Sequence, residues 1–397
     1  MRDIKLPDGW KIGKLENLVS FTRGSEPGSD SYTEDDSYTR FLRVSDISGT
    51  SKKKVYTVAD NLKLVNKGDL LLTLDGTPGI VSDQFEGAIS SGIRKIDIAN
   101  SKLLQDYLKF YLKSDNVQRI IYKYATGATI LHASKSIHYI DVVLPSLETQ
   151  KKIVQVLEKT KSAIEKKKEA IKLLDELVKS RFIGMFGDPK INPNNWTLME
   201  LRELVEFPPQ NGLYKPTSEY VNDNSGVPIL RIDAFYDGKV TGFLQLKRLK
   251  CADTEIERYL LKDQDIVINR VNSIEYLGKC ALIEGLQENT VFESNMMRFH
   301  LKENIMNACF ATRLLCSKYV YEQIVSCAKK AVNQASINQK DVLSFKLYVP
   351  PIELQNKFAD FAKQIDKLKV ETQKSLEELE NIYHSLMQRA FKGELFN

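Results

Sequence analysis

The sequence predicts an α+β fold: two α/β units with substantial β-sheet, separated by two long helices forming an antiparallel coiled coil. The whole is arranged as a pseudo-twofold internal repeat. Three observations predict it. The decapeptide LPSLETQKKI at 144–153 returns as VPPIELQNKF at 349–358. WKIGKLENLVSF at 10–21 returns as WTLMELRELVEF at 196–207, sharing the Trp, two Leu, the Val and the Phe. Each decapeptide opens a charged run in which apolar residues recur at three- and four-residue steps, the period of a helix face.

The first unit spans 1–146. Its segments FLRVSDI (41–47), KGDLLLTL (67–74) and GAISSGIRKIDIA (87–99) are short, β-branched or alternating, and bounded by Gly and Asp, as strands are. A shorter helical stretch follows near 104–124. The central helix, 147–187, holds no proline before Gly187, and Gly184 is its only earlier glycine. Ser146 at its entrance and Glu148 in its first turn suit a helix start, and Gly187 suits its end. The second unit, 188–351, repeats the pattern with VPILRIDAF (227–235) and DQDIVINRV (263–271), then a helical stretch near 305–328. The C-terminal helix, 352–397, enters through Pro351 with Glu353 in its first turn, and Gly393 suits its end.

The offset between repeats is 186 residues at the tryptophans (196 − 10) and 205 at the prolines (350 − 145). It then stays constant through Leu174/Leu379, Ser180/Ser385 and Phe186/Phe391. Insertions accumulated inside the units, where loops tolerate them, and none in the helices. A helix of this length is a rod of about 58 Å, too long for one small unit to cover, which favours pairing of the two. The predicted seam is Ile153, Leu157, Ile164, Ile171, Leu174 and Val178 in one helix. In the other it is Phe358, Ala362, Ile365, Leu376, Leu379, Tyr383 and Leu386. Polar breaks at Thr160/Lys167 and Lys369/Thr372 are of the kind that fix register.

With 397 residues, 42% hydrophobic and 27% charged, the chain reads as a soluble globular protein, and no apolar run suggests a membrane span. The opening MRDIKLPDGW lacks the apolar core of a signal peptide, so a cytoplasmic location is expected. Five cysteines (Cys251, Cys280, Cys309, Cys316, Cys327) form no Cys-x-x-Cys pair and are expected to be buried, reduced thiols. The four histidines have no metal-ligand spacing, so no metal site is expected. The net charge of +5 permits a nucleic-acid partner without announcing one.

These motifs resemble the specificity subunits of type I restriction–modification systems. The residues that carry the resemblance are the entrances LPSLETQ (144–150) and VPPIELQ (349–355) and the exit SRFIGMFGDP (180–189) with NW (195–196). The ending LMQRAFKGEL (386–395) and the opening LPDGW (6–10) complete the set. The resemblance runs over both halves. It implies two target-recognition domains, each reading one half of a bipartite site in double-stranded DNA and held apart by the helices. It also implies partners: two adenine methyltransferase (M) subunits docked on the helices, and translocase–nuclease (R) subunits. S-adenosylmethionine, ATP and Mg would sit on those partners, with no cofactor bound by this chain.

Nothing in the sequence supplies catalysis. INPNNW (191–196) and EFPPQNG (206–212) come closest to an adenine-methylating strip, and neither has the required order. No phosphate-binding Gly-x-x-x-x-Gly-Lys-Ser/Thr loop occurs. The chain reads as a non-catalytic recognition subunit.

Phosphates are contacted by Lys and Arg, and bases by Arg, Asn, Gln and apolar groups in the major groove. The candidates in the first unit are Arg23, Arg43, Lys52, Lys53, Lys54, Arg94 and Lys95. Those in the second are Asn211, Lys215, Arg231, Lys247, Arg248, Arg270, Asn272 and Arg298. Arg43 and Arg231 occupy equivalent places, where a salt bridge to Asp46 or Asp233 competes with DNA contact. Two other readings stand beside this one: a coiled-coil scaffold with two protein-binding domains, and a recognition subunit of another methylation-based phage-defence system.

Overall fold

The computed structural model describes residues 6–223 and 225–396, leaving aside the Leu244 side chain. The first half of the stretch read above for a leader, residues 1–5, lies outside them. The chain divides into two units: Met1–Ala170 with Thr372–Asn397, and Ile171–Glu371.

In the first unit the strand Ile93–Ile98 lies between Val19–Arg23 and Leu70–Thr73, antiparallel to both, and Val81–Ser82 extends the sheet. A five-stranded sheet, with Gly87–Ile89 parallel to Thr39–Leu42, stands beside it. The chain runs on from Gly87–Ile89 to Ile93–Ile98, so one turn at 90–92 links the two sheets. Helices α1 (Gln105–Leu112) and α2 (Asp115–Lys123) bury Tyr107, Tyr111, Val117 and Ile121 in the core beneath.

The second unit repeats this. Met296–Leu301 lies between Val205–Asn211 and Ile266–Asn269, and Val227–Leu230 runs parallel to Val291–Phe292. Its central sheet gains two further strands, Gly238–Val240 and Phe235–Tyr236, which hold part of the extra length. In between lies α3 (Leu147–Phe186); α4 (Ala308–Leu315) and α5 (Lys318–Cys327) then match α1 and α2, and α6 (Ile352–Lys392) ends the chain.

One predicted strand is corrected. In FLRVSDI only Phe41 and Leu42, the end of the strand Thr39–Leu42, belong to a strand, and Val44–Ile47 is a helical turn. The Asp46 carboxylate accepts the Arg43 N–H at 2.8 Å, closing the turn and ending the strand.

Each unit contains a stretch of α3 and a stretch of α6. In the second, Asp175 meets Lys369 at 2.7 Å, and the Phe182 and Phe186 rings stand 5.3 and 5.7 Å from Phe358. Rising numbers on α3 meet falling ones on α6, so these stretches are antiparallel. Ile171, Leu174, Val178, Phe358, Ala362 and Ile365 are buried or half-buried there. In the first unit Lys168 meets Glu380 at 3.0 Å. Ile153, Leu157, Ile164, Leu376, Leu379, Tyr383 and Leu386 are likewise buried or half-buried.

The repeated decapeptide has a structural cause. Gln150 is fully buried; its amide accepts the Leu104 N–H at 2.9 Å and donates to the Lys102 and Pro145 carbonyls at 2.7 and 3.0 Å. Gln355, also fully buried, accepts the Asn307 N–H at 2.9 Å and donates to the Ile305 and Pro350 carbonyls at 3.1 and 2.8 Å. Each glutamine therefore ties the first turn of a long helix to the strand end before it and to the entrance of α1 or α4. The glycines after the helices are equally constrained. Gly187 (φ 81°) and Gly393 (φ 78°) adopt a backbone that disfavours a Cβ. Added Cβ atoms there would overlap Pro193 and Pro7, the prolines that precede the paired tryptophans.

Candidate nucleic-acid interface

In each unit three stretches of chain converge on the turn between its two sheets. In the first, Gly24 N–H donates to the Ile93 carbonyl at 3.1 Å and Ser25 N–H to Ile89 at 3.0 Å, bringing in the loop that follows Arg23. Leu74 N–H reaches the Gly92 carbonyl at 2.9 Å, bringing in Asp75–Gly76, which pairs with Leu131–His132. In the second unit Gly212 N–H donates to Met296 at 3.1 Å, Leu213 to Phe292 at 2.8 Å and Arg270 to Asn295 at 2.8 Å. A Cβ on Gly24 or Gly212 would strike the carbonyls of the turn, so the loop departs at this spot only because both residues are glycine. Arg23 and Asn211, each one residue before its glycine, are therefore equivalent, and both are exposed.

The second unit carries a three-stranded ribbon at this place. Val271–Asn272 pairs with Ala335–Ser336, which pairs with Lys329–Lys330. Ala331 N–H closes the hairpin on the Gln334 carbonyl at 2.7 Å. Val332 at its tip is 99% exposed, and Lys329, Lys330, Asn333 and Gln334 are exposed beside it. A two-stranded ribbon is one of the shapes that fits the DNA major groove. Sequence reasoning passed over all five residues. Their one signal is a lysine pair followed by an Asn-Gln pair, and two-residue strands have no periodicity to detect.

The predicted residues fall into two groups. Several are engaged inside their unit. Arg43 donates to Ser51 Oγ at 3.1 Å and to the Lys53 carbonyl at 3.3 Å, with Asp46 at 3.6 Å, and so shapes the 51–54 loop. Arg94 is buried against the Ser91 carbonyl at 2.5 Å, Ser134 Oγ at 3.0 Å and Asp75 at 3.4 Å. Burial lowers its pKa against the pull of Asp75. Lys95 lies 3.2 Å from Asp69, and Lys215 lies 2.8 Å from Glu255, a hydrogen bond that raises the Lys215 pKa. Arg248 forks onto both oxygens of Glu288 at 2.7 Å. Arg298 binds Asp265 at 3.0 Å and Gln210 at 3.1 Å. Arg231 lies over the Tyr220 ring, 3.7 Å from Asp233.

The other group is less engaged: its lysines and Arg23 are exposed, and Arg270 and Asn272 are half-buried. Lys52, Lys54 and Lys247 are exposed, with no ion pair among the described residues. Lys53 touches the equally exposed Glu34 at 3.0 Å. Arg23 donates from Nε to the Ser91 carbonyl at 3.3 Å, leaving the end of the guanidinium open. Arg270 donates to the Ser294 carbonyl at 3.1 Å, and the Asn272 side chain accepts the Ser273 N–H at 2.8 Å.

Among the described residues no group of three or more His, Cys, Asp or Glu could hold a metal ion, and no helix is long and apolar enough to cross a membrane. Four cysteines are buried or half-buried as expected; Cys316 is exposed, because it caps the end of α4 at the surface.

The duplicated unit thus brings Arg23 in one copy, and Asn211 and Arg270 in the other, to the turn between its two sheets. The model of the type I restriction modification DNA specificity domain matches residues 7–173 and again residues 193–381. The chain belongs to this family, whose members are the non-catalytic recognition subunits of their complexes. It is 25% identical, over 100% of its own length and 95% of the relative's, to the type I restriction enzyme MjaVIII specificity subunit of Methanocaldococcus jannaschii. It is 23% identical to the EcoKI specificity subunit of Escherichia coli K12, over 98% of this chain and 90% of that one. The crystal structure of the type I restriction–modification S subunit from M. genitalium shares the fold, with a TM-score of 0.59 over 98% of both chains at 16% identity.

Proposed function

We propose that this chain selects the DNA sequence acted on by a type I restriction–modification complex, each unit reading one half of a bipartite site in double-stranded DNA. The observation that carries this reading is the duplicated three-way convergence, which presents Arg23 in one unit and Asn211, Arg270 and the 329–334 hairpin in the other. Lysines 52, 54 and 247 contact phosphates, and amides and arginines at the turn contact base edges. The internally engaged arginines hold the loops in place.

The proposed division is 1–146 and 188–351 for the two reading domains and 147–187 and 352–397 for the helices. The helices pair along their full length as a coiled coil that sets the distance between half-sites. Two methyltransferase subunits dock on them, and exposed Leu173 and Leu177, one turn apart on α3, suit such a contact. Translocase–nuclease subunits complete the assembly. S-adenosylmethionine, ATP and Mg belong to the partners, and the complex works in the cytoplasm.

The test replaces residues 1–143 with the same region of another specificity subunit, co-expresses the chain with its methyltransferase, and maps methylated adenines by sequencing. One half of the site should change and the other stay. A change in both halves would overturn the reading.

A further inference from the structure

We propose that Cys316 and Cys280 form a reversible redox-modification site, at which the pair closes to a protein disulfide while a low-molecular-weight disulfide is reduced to two thiols. The two sulfurs stand 3.4 Å apart, so the bond needs a closure of only about 1.4 Å to reach the ordinary S–S length. Their surroundings differ as attacker and resolver should. Cys316 is exposed at the end of α4 and opens onto a surface cavity of about 540 Å³ shared with Val178, Phe182 and Tyr319. Cys280 is fully buried in the strand Cys280–Leu282, behind it.

Electrostatics sort the five thiols in the same sense. The contact with the Cys280 sulfur holds the Cys316 pKa below its ordinary value, and Arg313 adds to the effect. That contact, with burial, pushes Cys280 up. Burial also raises Cys251 and Cys327, and takes Cys309 up to about 11. Thiolate character, access and a neighbouring thiol therefore coincide at Cys316 alone, the combination that makes a cysteine redox-responsive.

The chemistry balances. The Cys316 thiolate attacks one sulfur of the small disulfide, forming a mixed disulfide and expelling a thiolate that takes a proton from water. Cys280 then loses its proton and attacks Cys316 Sγ, breaking the mixed disulfide and releasing the second small thiol. Two protein thiols are oxidised and one disulfide is reduced. The second step is the slower, because Cys280 must ionise while buried. The product ties a central strand to α4, closing a loop of 36 residues (316 − 280) within the second unit.

The experiment treats the intact chain with oxidised glutathione at neutral pH, blocks free thiols with iodoacetamide and maps peptides by mass spectrometry. A peptide joining Cys280 to Cys316 is expected, with Cys251, Cys309 and Cys327 alkylated, and dithiothreitol should reverse it. Cys280→Ala should arrest the reaction at a stable glutathione adduct on Cys316. Cys316→Ser, at an exposed position that keeps its fold, should abolish both cross-link and adduct. Should Cys280→Ala fail to fold, the intact chain and Cys316→Ser still decide. A cross-link through another pair, an adduct at Cys316 that never resolves in the intact chain, or equal reaction at Cys316 and Cys327 would each overturn the proposal.

Discussion

The two candidate faces share a backbone and differ in charge. In the first unit two carboxylates near the turn have partners: Glu26 accepts from Ser91 N–H and Oγ at 2.8 Å, and Asp75 from Arg94 at 3.4 Å and from His132 at 2.9 Å. Arg23 faces outward beside them. In the second unit Lys329 and Lys330 share the hairpin with Asn333 and Gln334, Arg270 precedes the strand paired with it, and no salt bridge among the described residues engages these three cations. A common scaffold thus presents paired carboxylates beside Arg23 in one unit and a lysine hairpin beside Arg270 in the other. The difference teaches that the turn and its glycines are the invariant part, while electrostatics and base chemistry are set by what each loop carries.

The sharpest test of the shared part is at the glutamines. Gln150→Ala and Gln355→Ala each remove one buried and two half-buried hydrogen bonds to the main chain, and each should cost about 3 kcal/mol in thermal unfolding of the intact chain. Equal losses are expected; a loss under about 1 kcal/mol at one site would show that the two joints are not equivalent.

The faces themselves separate next. Replacing Asn333 and Gln334 by Ala should cost about 1–3 kcal/mol of base discrimination per bidentate contact, in one half-site only, read from competition between variant DNA duplexes in the methyltransferase complex. Relaxation in both halves would break the assignment of one face to one half-site. Lys329→Ala with Lys330→Ala should weaken binding to all sequences and flatten the slope of log affinity against log salt by about 2, against about 1 for Arg23→Ala. Equal slopes for the two variants would remove the charge asymmetry. The smallest effect belongs to Lys53→Ala, whose exposed pair with Glu34 should contribute no more than about 0.5 kcal/mol to stability.

The repeat, the two long helices and the helical pairs after each sheet were legible because periodicity, glycine and proline are local signals. The turn at 44–47 was not, since a single carboxylate, Asp46, overrides the strand-like run around it. The interface was only half legible. Arg94 and Arg298 look like any other arginine until the topology sets Asp75 and Asp265 beside them, 19 and 33 residues away. The hairpin at 329–336 depends on pairing with Val271–Asn272, and no local pattern announces a strand whose reason to exist lies that far up the chain. Arg23 and Asn211 were candidates by residue type, and only the structure shows that each precedes the glycine at its turn.

Every partner of Gln150 and Gln355 is a main-chain atom: the amides of Leu104 and Asn307, and the carbonyls of Lys102, Pro145, Ile305 and Pro350. The joint therefore grips the path of the chain and is indifferent to the side chains that line it. It behaves as a bayonet fitting, accepting any cartridge whose two ends arrive at the right place. Sequence within a cartridge can drift, lengthen or be exchanged wholesale while the rods and their locks remain the same, so new specificity need not cost the molecule its assembly.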